Sequence, residues 1–163
     1  MPLVAAPDFL ETLTQYHPLL RRLCRLYAPG PDEQQDLYQE IVLQLWQAWP
    51  RYEARAQLST WLYRVALNVA ISSLRRHTRR PPAARLSAAT LDVPAPPPAG
   101  PDADDLGQLY AAIARLSDVE KALVLLRLEE RPDEEIADIL GISIGNVRVK
   151  MHRAQHKLRQ LLT

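Results

Sequence analysis

Absences narrow this 163-residue chain before any motif does. It has one cysteine, Cys24, so neither an intrachain disulfide nor a cysteine-ligated metal cluster is available to it. Phenylalanine occurs once, and no alternating run of β-branched residues reaches strand length, which leaves little from which to build a sheet. The five glycines form no phosphate-cradling loop, and no pair of carboxylates lies in an apolar setting, so an enzyme has little support. No stretch approaches the roughly 18 uncharged apolar residues of a membrane span. Met1 to Leu10 lack the basic and apolar regions of a secretory signal. The expectation is a cytoplasmic protein with no membrane contact of its own, no metal and no cofactor. Cys24, between Leu23 and Leu26, reads as a buried thiol.

What is present is a globular balance, 47% apolar and 24% charged, with a net charge of only +1. That near-zero total conceals blocks. Residues 1–80 carry ten arginines against seven acids, and 105–138 carry four bases against nine acids. Residues 139–163 carry five bases and no acid. A second basic cluster is formed by Arg75, Arg76, Arg79 and Arg80. A charge block alone is most simply a solvated face, so nucleic-acid binding needs further support.

Half of the fourteen prolines fall between Pro81 and Pro101. Proline lacks a donor and holds its predecessor extended, so 81–104 reads as a semi-stiff linker with little to bury. On either side the apolar spacing is helical. Phe9, Leu10, Leu13, Leu20, Leu23 and Leu26 make one stripe, ended by Pro29-Gly30-Pro31. Asp32 can then cap a helix whose buried face holds Leu37, Ile41, Leu45 and Trp46, and which Pro50 closes. After a polar loop, Ser59 can cap a third helix lined by Leu62, Val65, Ala66 and Val69. Beyond the linker, helices are expected around 105–115, 118–129, 133–140 and 144–161. The fold class is all-α: two small helical domains, 1–80 and 105–163, joined by the flexible proline-rich linker 81–104.

The most specific motif runs from Asp133 to Lys150. Counting from Asp133, alanine stands fifth, glycine ninth and valine fifteenth, the arrangement of a helix-turn-helix. Ala137 must be small because the second helix crosses above it. Gly141 suits a turn that needs positive φ. Ser143 can cap a second helix whose Val147, Met151, Ala154, Leu158 and Leu161 face inward. Its outer side then carries Asn146, Arg148, Val149, Lys150, His152, Arg153 and Lys157 without an acid, which a plain helical hairpin does not explain. Arginine forks suit guanine edges in the major groove, whereas Lys, Ser and Asn more often hold phosphates. His152 and His156 stand four apart, but no nearby carboxylate or cysteine completes a metal site.

The first half has its own pattern: DLYQEIVLQLW from Asp36, Trp49-Pro-Arg-Tyr, then STWLYRVALN from Ser59. Aromatics beside arginines can stack on unpaired bases while gripping the backbone. Trp46 reads as core, but Tyr52, on a polar loop, does not. Taken with EEIADILGISIGNVRVKMHRA from Glu134, these strings resemble the extracytoplasmic-function (ECF) sigma factors of bacterial RNA polymerase. The first half is similar to sigma region 2 and the second to region 4, while regions 1.1 and 3 of primary sigma factors have no counterpart.

The resemblance implies a sigma factor that binds core RNA polymerase, reads the −35 and −10 elements of promoter DNA and assists melting. Asp36, Gln39, Glu40 and Gln44 match the surface that docks on the β′ clamp helices, and region 4 implies a contact with the β flap. Arg51, Tyr52, Arg55, Gln57, Thr60, Trp61, Arg64, Asn68, Arg75 and Arg76 match the −10 surface, with the 51–58 loop and Asn68 around a flipped base. Arg148, Val149, His152 and Arg153 match −35 readers, and Ser143, Asn146, Lys150 and Lys157 would accompany them on that DNA. An anti-sigma factor is an expected partner. Three positions depart from the family's pattern. Pro132 replaces the usual cap before the motif, Val149 replaces a commonly polar residue, and the 51–58 loop lacks a glycine. The alternative, a freestanding helix-turn-helix regulator acting without polymerase, gives no role to the aromatic and arginine pattern of the first half.

Overall fold

The computed structural model describes residues 8–79 and 103–163, so the linker expected over 81–104 lies outside it up to residue 102, as does Arg80. The described residues form seven α-helices: α1 Phe9–Tyr27, α2 Pro31–Ala48, α3 Leu58–Arg79, α4 Ala103–Ala114, α5 Asp118–Leu128, α6 Asp133–Leu140 and α7 Ile144–Leu162. A 3-10 turn, Trp49–Arg51, follows α2. No strand occurs among the described residues, and no helix there is long and apolar enough to cross a membrane.

Two helix starts differ from the sequence expectation. The cap of α2 is Gly30, with Pro31 in the first turn, so Asp32 lies inside the helix rather than capping it. Proline is pre-organised for that first position because the N–H it lacks would have no helical partner. Asp32 and Glu33 instead face the positive end of the helix dipole. Likewise α3 begins at Leu58, where the Trp61 N–H donates to the Gln57 carbonyl at 3.1 Å. Ser59 therefore falls within the first turn, where it is buried.

The first three helices close around Leu20 and Leu23 of α1, Ile41 and Leu45 of α2, and Leu62, Ala66 and Ala70 of α3, all essentially buried. Each large apolar side chain removed from water contributes about 1.5–3 kcal/mol. Cys24 joins this core, and burial pushes its thiol up to about 11 despite the opposing charge of Arg21. Trp46, expected in the same face, is 59% exposed. Positions 37, 41 and 45 keep the inward helical register, and Trp46 lies one residue, about 100°, past it.

In the C-terminal half α5 is central, with Ala122 to Leu126 all buried. It starts in a capping box: Ser117 accepts the Glu120 N–H, and the Glu120 carboxylate accepts the Ser117 N–H. The helix-turn-helix follows as α6 and α7. Gly141 ends α6 at φ 66°, and its N–H and that of Ile142 both reach the Ala137 carbonyl. The Ser143 hydroxyl accepts the Asn146 N–H at 3.2 Å and starts α7. The two halves pack on each other, α1 against α4 and α5 and α3 against α6.

No atom lies within 4 Å of a Cβ built on Gly141, so the demand at this site is for the left-handed backbone, not for space. Gly141→Ala is expected to lose about 1 kcal/mol, read as a lower urea midpoint at unchanged slope. Unchanged stability would show that the turn does not need a glycine.

Candidate nucleic-acid interface

Helix α7 presents the expected basic face. Val147, Met151 and Ala154 are buried against the half it belongs to, while Asn146, Arg148, Val149, His152 and Arg153 are exposed and Lys150 is half-buried. Val149, 50% exposed, places an apolar patch among the cations. Two of the cations are already engaged. The Arg148 Nε donates to Asp133 at 3.2 Å, and the same carboxylate also takes Arg127. Those two arginine hydrogen bonds hold the Asp133 carboxyl below the usual range. Lys157 Nζ donates to Glu120 at 2.6 Å. Burial pushes Glu120 up, but the Lys157 and Ser117 hydrogen bonds outweigh it and leave its carboxyl lowered. Lys157 therefore ties α7 to the start of α5. Among the described residues no group of three or more His, Cys, Asp or Glu could hold a metal ion.

At the other end, the 51–57 loop is shaped by aromatic contacts. Tyr52 stacks on Trp49 with ring centroids 6.2 Å apart and tilts against Trp61 at 5.1 Å. Its hydroxyl donates to the Ala56 carbonyl at 2.8 Å, which closes the loop on itself. Without a glycine, the loop turns at Ala54, held at φ 56°. Arg51, Arg55 and Gln57 are exposed around it, with Arg55 paired to Glu53 at 2.8 Å. Arg64, Asn68 and Arg75 are exposed farther along α3. Thr60 is the exception, because it is buried within the first turn of α3 and is not presented to a ligand. Trp61 is half-buried and meets Trp49 edge-on at 5.8 Å.

Asp36, Gln39 and Gln44 lie exposed along α2, and Glu40 pairs with Arg76 of α3 at 2.6 Å. Sequence reasoning missed the apolar part of this surface. Leu43 and Trp46 are more than half exposed, and Phe9 meets the Trp46 ring edge-on at 5.0 Å. With Tyr38 and Val42 they line a shallow apolar groove beside Gln39. The signal was readable, since Gln39, Leu43 and Trp46 recur at four and three residues on the side opposite Ile41.

Comparison with known proteins decides what these surfaces belong to. Sigma-70 region 2 matches residues 12–80 and Sigma-70, region 4, matches residues 106–158. RNA polymerase sigma factor CarQ of Myxococcus xanthus is 36% identical over 132 residues, covering 78% of this chain and 74% of its own. This chain belongs to the ECF sigma factors. ECF RNA polymerase sigma factor SigM of Mycobacterium tuberculosis is 29% identical over 165 residues, covering 94% of this chain and 76% of its own. Among solved structures, the sigma factor RpoE of Bartonella quintana, in complex with the anti-sigma factor NepR, superposes with a TM-score of 0.76. It is 25% identical and covers 95% of this chain and 96% of its own. The ECF factor described here is thus an alternative sigma factor that acts with RNA polymerase. Its helix-turn-helix lies in the region 4 match and its aromatic loop in the region 2 match.

Two outcomes follow from the geometry of the sigma factor. A left-handed alanine costs about 1–2 kcal/mol relative to a relaxed backbone, and glycine returns part of that gain as unfolded-state entropy. Ala54→Gly should therefore raise stability by about 0.5–1 kcal/mol in urea unfolding, and a loss would show that the loop does not depend on that angle. Glu120 and Asp133 both have lowered folded pKa values. The stability they supply is present above the unfolded carboxylate value of about 4 and is lost as pH falls through the lowered folded values. Urea midpoints should drop between about pH 4 and lower pH, and Lys157→Met should flatten that decline by removing the partner of Glu120.

Proposed function

We propose that residues 1–80 form the unit that docks on core polymerase and melts the −10 element, that 81–104 join it to the second unit, and that 105–163 read the −35 element. The reading rests above all on one observation: α7 exposes Arg148, Val149, His152 and Arg153 side by side on a face without an acid. In a major groove the two arginines can fork onto guanines, while Val149 can touch a thymine methyl. Ser143, Asn146 and Lys150 supply phosphate contacts around them. To read a base, Arg148 leaves Asp133 for DNA.

In the first unit the base pocket is built by Tyr52, Trp61 and Asn68 around the closed 51–57 loop, with Arg51, Arg55, Arg64 and Arg75 holding the strand's phosphates. An extruded base stacked there offsets the few kcal/mol spent on unstacking. The β′ clamp helices dock on Asp36, Gln39, Glu40 and Gln44, and Leu43 and Trp46 add the apolar anchor that a protein interface needs at its centre. The β flap contacts the second unit. An anti-sigma factor, as in the complex of the Bartonella quintana relative, would compete for these surfaces. The protein acts by binding, and catalysis remains with the polymerase.

Substitution separates these roles. Arg148→Ala or Arg153→Ala should cost about 1–3 kcal/mol and relax preference at one −35 position, whereas Lys150→Ala should weaken all promoters alike. Equal losses on matched and mismatched −35 sequences for both arginine variants would overturn the assignment. Asn68→Ala should leave polymerase binding intact yet reduce permanganate reactivity of unpaired thymines, and a premelted template should restore transcription. Gel shifts with and without core polymerase test the alternative of a freestanding regulator: the sigma factor should need core polymerase to bind its promoter, and tight binding to the duplex alone would favour the regulator. In vitro transcription on genomic fragments supplies the promoters for these measurements.

A further inference from the structure

One arginine of the basic face has an acid in reach, and the pair lies wholly within the helix-turn-helix. Asp133 opens α6, and Arg148 lies early in α7. Arg148 donates through Nε to the Asp133 Oδ2 at 3.2 Å. The other carboxylate oxygen, Oδ1, takes Nη2 of Arg127 from α5. The Asp133 side chain is 19% exposed and that of Arg148 is 68% exposed, so the arginine rests on the acid while most of it stays in water. The two arginine hydrogen bonds hold the carboxyl below its usual range, so it is an anion near neutral pH. The neighbouring acids are placed differently: Glu134 is exposed, and Glu135 takes Arg131 at 3.4 Å. Arg153, farther along the same face, has no such partner among the described residues.

How sharply an arginine discriminates depends on what it does at a base that does not fit it. A guanidinium pressed against an edge without acceptors gives up its water and receives no hydrogen bond in return, and that penalty rejects the site. An arginine with a carboxylate in reach escapes the penalty by staying on the carboxylate. At guanine the fork gains its bidentate contact but first gives up the acid, so the matched site gains less. Both effects act in one direction: the acid narrows the gap between matched and mismatched sites. The exchange is also light. Partly exposed ion pairs contribute little, and Asp133 is not orphaned when Arg148 leaves, because Arg127 still holds it.

We propose that Asp133 is a parking site that makes −35 reading permissive at one base position: Arg148 moves to guanine where one is present and stays on Asp133 where none is. The inference rests on the −35 role given above to Arg148. Asp133 touches no base and acts through Arg148, so it is a positioning residue that sets specificity. Arg127 is its counterweight, keeping the carboxylate paired while Arg148 is on DNA. The position read by Arg153, which has no parking acid, is the stricter of the two. A wider set of −35 sequences is thereby open to the factor than its arginines alone would allow.

The test uses the full chain bound to core polymerase, with closed complexes competing for promoters that differ at one −35 base pair. The position read by Arg148 is the one at which Arg148→Ala relaxes preference, and that of Arg153 is found in the same way. At the first position Asp133→Ala should widen the affinity ratio between guanine and the other bases by about two- to fivefold, the range set by partly exposed ion pairs. Arg127→Gln should instead narrow that ratio by about twofold, since a carboxylate left with Arg148 alone releases it less readily. Neither variant should change the ratio at the position read by Arg153, and Asp133→Ala should change no ratio in the Arg148→Ala background. A merely structural role for Asp133, or simple loss of its repulsion for phosphates, would move matched and mismatched promoters alike and leave every ratio where it was. An unchanged ratio in Asp133→Ala therefore overturns the parking site. A narrowed one also overturns it, by showing that the acid aims Arg148 at guanine. If Arg148→Ala relaxes no position, the −35 role of Arg148 falls and the parking site with it, so the two failures are distinguished.

Discussion

Five consecutive residues of α5, Ala122 to Leu126, are buried, and no single neighbouring helix can cover a helix on every side. Within the C-terminal half α4 and α7 cover part of it, and α1 supplies further contact from the first half. Even its polar residues are drawn in. Lys121 is 6% exposed, with its ammonium 5.7 Å from the centre of the Tyr27 ring, and burial lowers its pKa. Glu120 is held by Lys157 and the capping box. The need to cover α5 therefore orients the helix-turn-helix, through α7, and brings the halves together, through α1.

In the proposed function, arginine is the residue through which this arrangement connects to nucleic acid. Its planar fork accepts a carboxylate, a helix carbonyl or a phosphate with the same donors. Arg64 on the Asp138 carbonyl, Arg75 on Asp118 and Arg148 on Asp133 each hold an oxygen of the protein where DNA could offer one of its own. The protein thus keeps its cations partnered without giving up their capacity to bind. Arg51 and Arg153, exposed at the two candidate surfaces, have no such partner among the described residues.

The aromatic residues divide between support and display in a way that residue type alone does not predict. Trp49, Tyr52 and Trp61 form a cluster that shapes the 51–57 loop. Trp46, three residues before Trp49, turns outward to border an apolar groove. One helical register separates these outcomes, because α2 ends at Ala48 and the 3-10 turn redirects the chain before Trp49 can follow α2.

The sequence by itself determined the all-α class, the helix-turn-helix and the candidate surfaces, because each depends on local properties. Helical spacing marks buried faces, Gly141 supplies a left-handed turn, Ser143 caps α7, and an acid-free run such as 139–163 is visible in one dimension. Local rules misplaced the caps at Asp32 and Ser59 by a turn or less, since Pro31 and the Gln57 carbonyl started those helices earlier. They placed Trp46 in the core and Thr60 at the surface because each lies at the boundary of a helical face, where burial depends on the neighbouring helix. Only the tertiary structure decided that Lys157 binds Glu120, 37 residues away, and that Arg64 caps α6 across 74 residues. Those pairings depend on which helix ends meet when α5 is covered, and that long-range geometry has no period or spacing in the chain from which it could be read.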